Sequence, residues 1–127
     1  MIGQAQTVED TTRQVTADVN GFAAEGGVIL GRNGAFVLKD RPGALHVKLV
    51  GQTKVRVARA ARLFGISEER SAKRQPLEDD FRRELSRQYF RFDPTTDDYY
   101  DLVIDTTRFN EDQVVAIIVA AAKARAA

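Results

Sequence analysis

An α/β fold built on a parallel sheet is predicted by three features of the sequence. Helix-patterned and strand-patterned segments alternate along the chain, as in layered α/β domains. The strand segments are short, continuous apolar runs, the pattern of strands covered on both faces. The length, 127 residues, fits one domain with a modest core. The expected architecture is a sheet of about three parallel strands flanked by helices.

Taken in order, residues from about Val8 to Glu25 form the first helix. Val8, Val15, Val19 and Phe22 recur near helical spacing, and Gly26-Gly27 supplies a stop. Val28-Ile29-Leu30 is the first strand, ended by Gly31-Arg32-Asn33-Gly34, and Ala35 to Leu38 forms a short helix. Asp40-Arg41-Pro42-Gly43 is turn chemistry, and Ala44 to Val50 is the second strand. Thr53 to Phe64 is a basic amphipathic helix capped by Gly65. Ser67, followed by Glu68 and Glu69, has the pattern of a helix N-terminus. Pro76 is expected to break or restart that helix, which then runs from about Leu77 to Tyr89. Phe92 to Asp98 is a turn, and Asp101 to Ile104 is the third strand. Asn110 caps a last helix reaching about Lys123, with Val114, Ile117, Ile118 and Ala121 toward the core.

Composition narrows the function. The net charge is +1, which argues against a nucleic-acid clamp. Cysteine is absent and His46 is the single histidine, so disulfides and thiolate metal sites are excluded and no metal ligand set is expected. No apolar run approaches the ~20 residues of a membrane span. With neither a basic n-region nor an apolar h-region at the start, a cytoplasmic location is expected.

The distinctive feature is arginine. Arg70, Arg74, Arg82, Arg83, Arg87 and Arg91 crowd one helical stretch. Guanidinium groups grip phosphate oxygens bidentately, so such a cluster suits phosphate handling. Ligands of parallel α/β sheets bind beyond the carboxyl ends of the strands. Those ends carry Gly31-Arg32 and Asp105-Thr106-Thr107. Asp79 and Arg82, spaced i and i+3, share a helix face and form a second candidate. Arg56, Arg59 and Arg62 read as a solvated helix face, His46 as structural, and the aromatics from Tyr89 to Tyr100 as packing.

These pieces together resemble the cytidylate-kinase-like group of P-loop nucleoside monophosphate kinases. The matching segments are Gly27 to Arg32, Arg41 to Val47, Ala58-Arg59 through Ser67, Asp79-x-x-Arg82, Tyr89-Phe90 with Asp93-Pro94, and Tyr100 to Arg108. The resemblance implies that residues 1–127 are the C-terminal portion of one such domain, with a lid-like helical region at about 66–92. It implies transfer of the ATP γ-phosphoryl, with magnesium, to a monophosphate such as CMP. Arg32, Asp79 and Arg82 match acceptor and phosphate contacts, and Arg74 aligns as a further lid arginine. Asn33 stands where many relatives carry an acid.

One departure is large. The family's G-x-x-x-x-G-K-[ST] loop is absent from this sequence. The resemblance places the strand before that loop between the strands matching Val28–Leu30 and Ala44–Val50. Those two strands are therefore expected to close up directly, or to receive a strand from a second copy or another partner chain. Without the loop the chain alone is expected to show no kinase turnover. The alternative reading is a non-catalytic pseudo-kinase fragment that acts through self-association or protein interaction.

Overall fold

The computed structural model describes residues 7–31 and 33–126. The element order is α1 (Val8–Glu25), α2 (Gly34–Val37), β1 (Val47–Val50), α3 (Thr53–Phe64), α4 (Glu68–Phe90), β2 (Leu102–Asp105) and α5 (Glu111–Ala126). The α/β class holds: a small parallel sheet is flanked by helices. β1 pairs with β2 in the register Val47↔Leu102 to Val50↔Asp105, with α3 and α4 as the crossover.

Local chemistry sets most boundaries. Thr7 and Asp10 form a capping box at the start of α1, and Gly26, at φ 82°, closes its end. Ser67 caps α4 by accepting the Arg70 amide, and Gly65, at φ 65°, ends α3. Asn110 and Gln113 exchange side-chain and backbone hydrogen bonds at 2.8 and 2.9 Å, which starts α5. The expected α5 face, Val114, Ile117, Ile118 and Ala121, is half-buried, and the other described residues of α5 are exposed.

Two expectations are corrected. Val28–Leu30 is not a strand and does not close onto β1. Val28 is 98% and Leu30 88% exposed, and β2 is β1's sole ladder partner among the described residues. An apolar run becomes a strand only where a ladder accepts it. Here the run is bracketed by Gly26, Gly27 and Gly31, all at positive φ. Pro76 also fails to break α4, which continues across it. A mid-helix proline forfeits a hydrogen bond and clashes with the preceding turn, at about 3 kcal/mol. Tertiary anchors on both sides oppose that cost.

The first anchor is the Ser71 hydroxyl, which donates to the Val57 carbonyl at 2.8 Å and joins α4 to α3. Beyond Pro76, the Ser86 hydroxyl donates to Asn33 Oδ1 at 2.6 Å, and the Thr12 hydroxyl lies 2.9 Å from the Tyr89 carbonyl. Phe36, Phe90, Phe92 and Tyr99 form an aromatic cluster beneath that half, with Phe36 and Phe92 stacked at 5.5 Å. His46 is structural, as expected: its Nε2 lies 3.1 Å from the Leu38 carbonyl.

The sheet ends in a close approach. A Cβ added to Gly51 would sit 2.6 Å from Thr107 Cγ2. Thr107 cannot yield easily, because its hydroxyl donates to Asp105 Oδ1 at 2.5 Å and accepts the Gln52 amide at 3.1 Å.

Two stability measurements follow. Ser71 is 1% exposed, so Ser71→Ala removes the hydrogen bond of a buried hydroxyl and leaves the Val57 carbonyl without that donor. It is expected to lower urea-unfolding stability by about 1–2 kcal/mol. Gly51→Ala is expected to cost about 1–3 kcal/mol through overpacking. Adding Thr107→Ser, which deletes the clashing methyl and keeps the hydroxyl, recovers most of that loss. Unchanged stability in the single glycine variant contradicts the packing described.

Candidate functional site

The carboxyl ends of β1 and β2 share one rim. The Thr106 amide donates to the Val50 carbonyl at 2.8 Å, so the turns after the two strands lie side by side. Asp105 accepts both the hydroxyl and the amide of Thr107, the latter at 2.9 Å. These Thr107 hydrogen bonds, helped by the nearby Arg108 guanidinium, hold the Asp105 carboxyl below the ordinary carboxylate range.

α3 rises directly from this rim and brings two arginines with it. Arg59 donates from Nη2 to the Thr106 carbonyl at 2.9 Å and from Nη1 to the Thr106 hydroxyl at 3.2 Å. Arg56, one turn earlier on the same face, crosses to α4. Its Nη2 lies 3.3 Å from both carboxylate oxygens of Asp79. Asp79 also takes the guanidinium of Arg82 from its own helix. Two arginines from two helices thus converge on one carboxylate, and a third ties the group to the strand ends.

A recess of about 200 Å³ opens between α3 and α4, lined by Arg56, Arg59, Gln75, Glu78, Asp79 and Arg82, with Ala60 and Leu63 as apolar wall. Liquid water occupies about 30 Å³ per molecule, so the recess has room for a phosphate-sized group. Gln75 Oε1 is buried here without a hydrogen-bond partner among the described residues. Turning that amide over would present its NH₂ group instead.

The structure sorts the sequence candidates. Asp79 and Arg82 lie together in the recess. Arg74 borders it: its guanidinium donates to Glu78 at 3.0 and 3.2 Å and lies 5.6 Å from the Phe64 ring centroid. Arg32 lies outside the described residues. Arg83 and Arg87 line a separate, larger depression with Leu77, Phe81 and Asp93, so the run of arginines is not one cluster.

The sequence reads Arg56, Arg59 and Arg62 as a solvated face; Arg59 and Arg62 are exposed, and Arg56 is half-buried against α4. The signal of Arg56 and Arg59 was positional: they recur at i,i+3 in the first turns after Gly51, where a parallel strand ends. Among the described residues no group of three or more His, Asp or Glu side chains is placed to hold a metal, and no helix is long and apolar enough to cross a membrane.

Comparison with known proteins gives this geometry a context. A stretch of 107 residues is 39% identical to the uronate isomerase of Corynebacterium glutamicum, covering 84% of this chain and 21% of that protein. Over 110 residues the chain is 36% identical to the cytidylate kinase of Methanopyrus kandleri, covering 78% of this chain and 56% of the kinase. The chain thus spans between about a fifth and just over half of these curated relatives. A crystal structure of an uncharacterized protein from Eubacterium ventriosum superposes with a TM-score of 0.79 at 19% identity, over 93% of this chain and 65% of that one, which shows a shared fold. The sequence profile of the cytidylate kinase-like family matches residues 3–108, and the chain belongs to that family.

Proposed function

We propose that this chain handles the phosphate of a nucleoside monophosphate such as CMP at the α3–α4 recess, as the acceptor and lid portion of a cytidylate-kinase-like unit. The observation that carries the reading is the pair of hydrogen bonds from Arg59 to Thr106. They fix the arginine recess to the carboxyl ends of the strands, where α/β sheets hold their ligands. Asp79 and Arg82, the residues matching the family pattern, sit in that recess. Arg74 acts from its border, and Arg32 belongs to the same proposed set by sequence.

Phosphoryl transfer is catalysed mainly by positioning and by cationic stabilisation of spread negative charge. Arg56, Arg59 and Arg82 offer the second of these. The residues present do not fit the donor side. No GK[ST] loop occurs in the sequence and no acidic metal cluster among the described residues. No step is therefore assigned to ATP or magnesium, and the expected activity of the chain by itself is binding without turnover. A cytoplasmic location belongs to the same proposal.

A second reading is favoured by a different observation. His46 and Val50 offer their carbonyls to the β2 side, so by the two-residue period the backbone groups of Val47 and Leu49 point away from it. That edge has no ladder partner among the described residues, and Val28 and Leu30 are exposed. Open edges and bare apolar segments are sites of strand addition. In this reading the chain associates with a second copy or another chain that completes the sheet.

Calorimetric titration with CMP is expected to show binding that weakens as salt rises. Arg82→Ala is expected to lower the affinity about 5- to 20-fold, the scale of one charge-assisted contact. Conversion of CMP to CDP at an ordinary kinase rate by the purified chain would overturn the proposal, as would the absence of any CMP binding. For the second reading, sedimentation is expected to show concentration-dependent association that Leu30→Glu abolishes. A monomer at every concentration removes that reading.

A further inference from the structure

The charged groups of the recess already engage one another, although its three arginines outnumber its two carboxylates. Arg56, Arg59 and Arg82 face Glu78 and Asp79. Glu78 is engaged by Arg74, and two hydrogen bonds to Thr106 commit Arg59. The remaining guanidiniums, Arg56 and Arg82, both close on Asp79. One carboxylate is thus shared by two arginines from two helices. The side chains of Asp79 and Arg56 are 40% and 35% exposed, so incoming anions reach them.

Resting on the phosphate-site reading above, we propose that Asp79 is a built-in competitor for phosphate: it holds Arg56 and Arg82 until a phosphate dianion displaces it. The exchange is favourable because two guanidiniums meet two negative charges instead of one, with three equivalent oxygens for bidentate contacts. It also changes what joins the helices. Arg56 and Asp79 link α3 to α4 directly. With ligand present, the phosphate is the link, and Asp79 returns to solvent. The site therefore trades affinity for reversibility. It also rejects weaker monoanions, which gain no charge over the carboxylate they replace.

This role predicts the opposite sign from a ligand-gripping aspartate. Asp79→Asn keeps the size of the side chain and removes the competing charge. At fixed ionic strength, its affinity for inorganic phosphate is expected to rise about 5- to 20-fold, the release of two partly exposed ion pairs. CMP is titrated beside inorganic phosphate. The same rise is expected for both, and tighter binding of CMP in the unaltered chain identifies a nucleotide as the source of the phosphate.

Phosphate binding by the unaltered chain with equal or weaker binding by the variant overturns the competitor role and leaves the phosphate site standing. A gain for phosphate with a loss for CMP overturns it too, since Asp79 would then grip the nucleoside. Binding of neither ligand by either protein removes the site and the competitor together. One measurement does not depend on the variant folding. In the unaltered chain, the guanidinium NMR signals of Arg56 and Arg82 are expected to shift together on phosphate addition, while that of Arg74 stays. Independent behaviour of the two overturns the proposal.

Discussion

Parallel pairing of Val47–Val50 with Leu102–Asp105 obliges the chain to return to the starting end of the sheet before the second strand can begin. That return consists of α3 and α4, and it starts at the carboxyl end of β1. The first turns of α3 must therefore overhang the rim. A basic residue there faces the strand ends without any dedicated loop to aim it. Arg56 and Arg59 occupy those turns, and Arg59 reaches Thr106 on the neighbouring strand's turn. The narrow gap at Gly51 lets the two turns approach closely enough for that contact.

The charged groups of the rim differ in what they contribute. Arg13–Asp10, Lys73–Glu69 and Arg83–Asp80 are pairs within single helices and largely exposed, and such pairs add little stability. The links between elements matter more. The buried Ser71 hydroxyl fastens α4 to α3, Arg59 fastens α3 to the turn after β2, and Arg56 reaches across to α4 at the recess. Rigidity and ligand chemistry thus share the same helix pair. The polar atoms that hold the recess together border those available to bind.

Much of this was legible in the sequence where short-range rules decide. α1 and α3 span the residues that helical spacing selects and end at their glycines, and Asn110 and Ser67 cap as their chemistry suggests. The covered stripe of α5 falls on the four apolar positions that helical spacing selects. Legibility stops where a neighbour decides. Val28-Ile29-Leu30 has strand composition, but a strand requires a ladder, and no local signal reports that none is offered. Pro76 has breaker chemistry, but Ser71 and Ser86 lie on opposite sides of it, each fixed to a different part of the molecule. Asp79 and Arg82 were visible as an i,i+3 pair. Arg56, 23 residues earlier, joins them only once α3 and α4 are packed.

Pro76 has a consequence for motion. Its missing N–H leaves the Ala72 carbonyl without the usual partner four residues on, so the ladder of α4 has a gap in its middle. Gln75 stands on one side of the gap, and Glu78, Asp79 and Arg82 stand on the other. Unzipping that starts at either end of the helix meets a seam there, which favours two subglobular opening units within one continuous helix. The α4 wall of the recess thus spans two segments whose amide protons can exchange with solvent on different timescales.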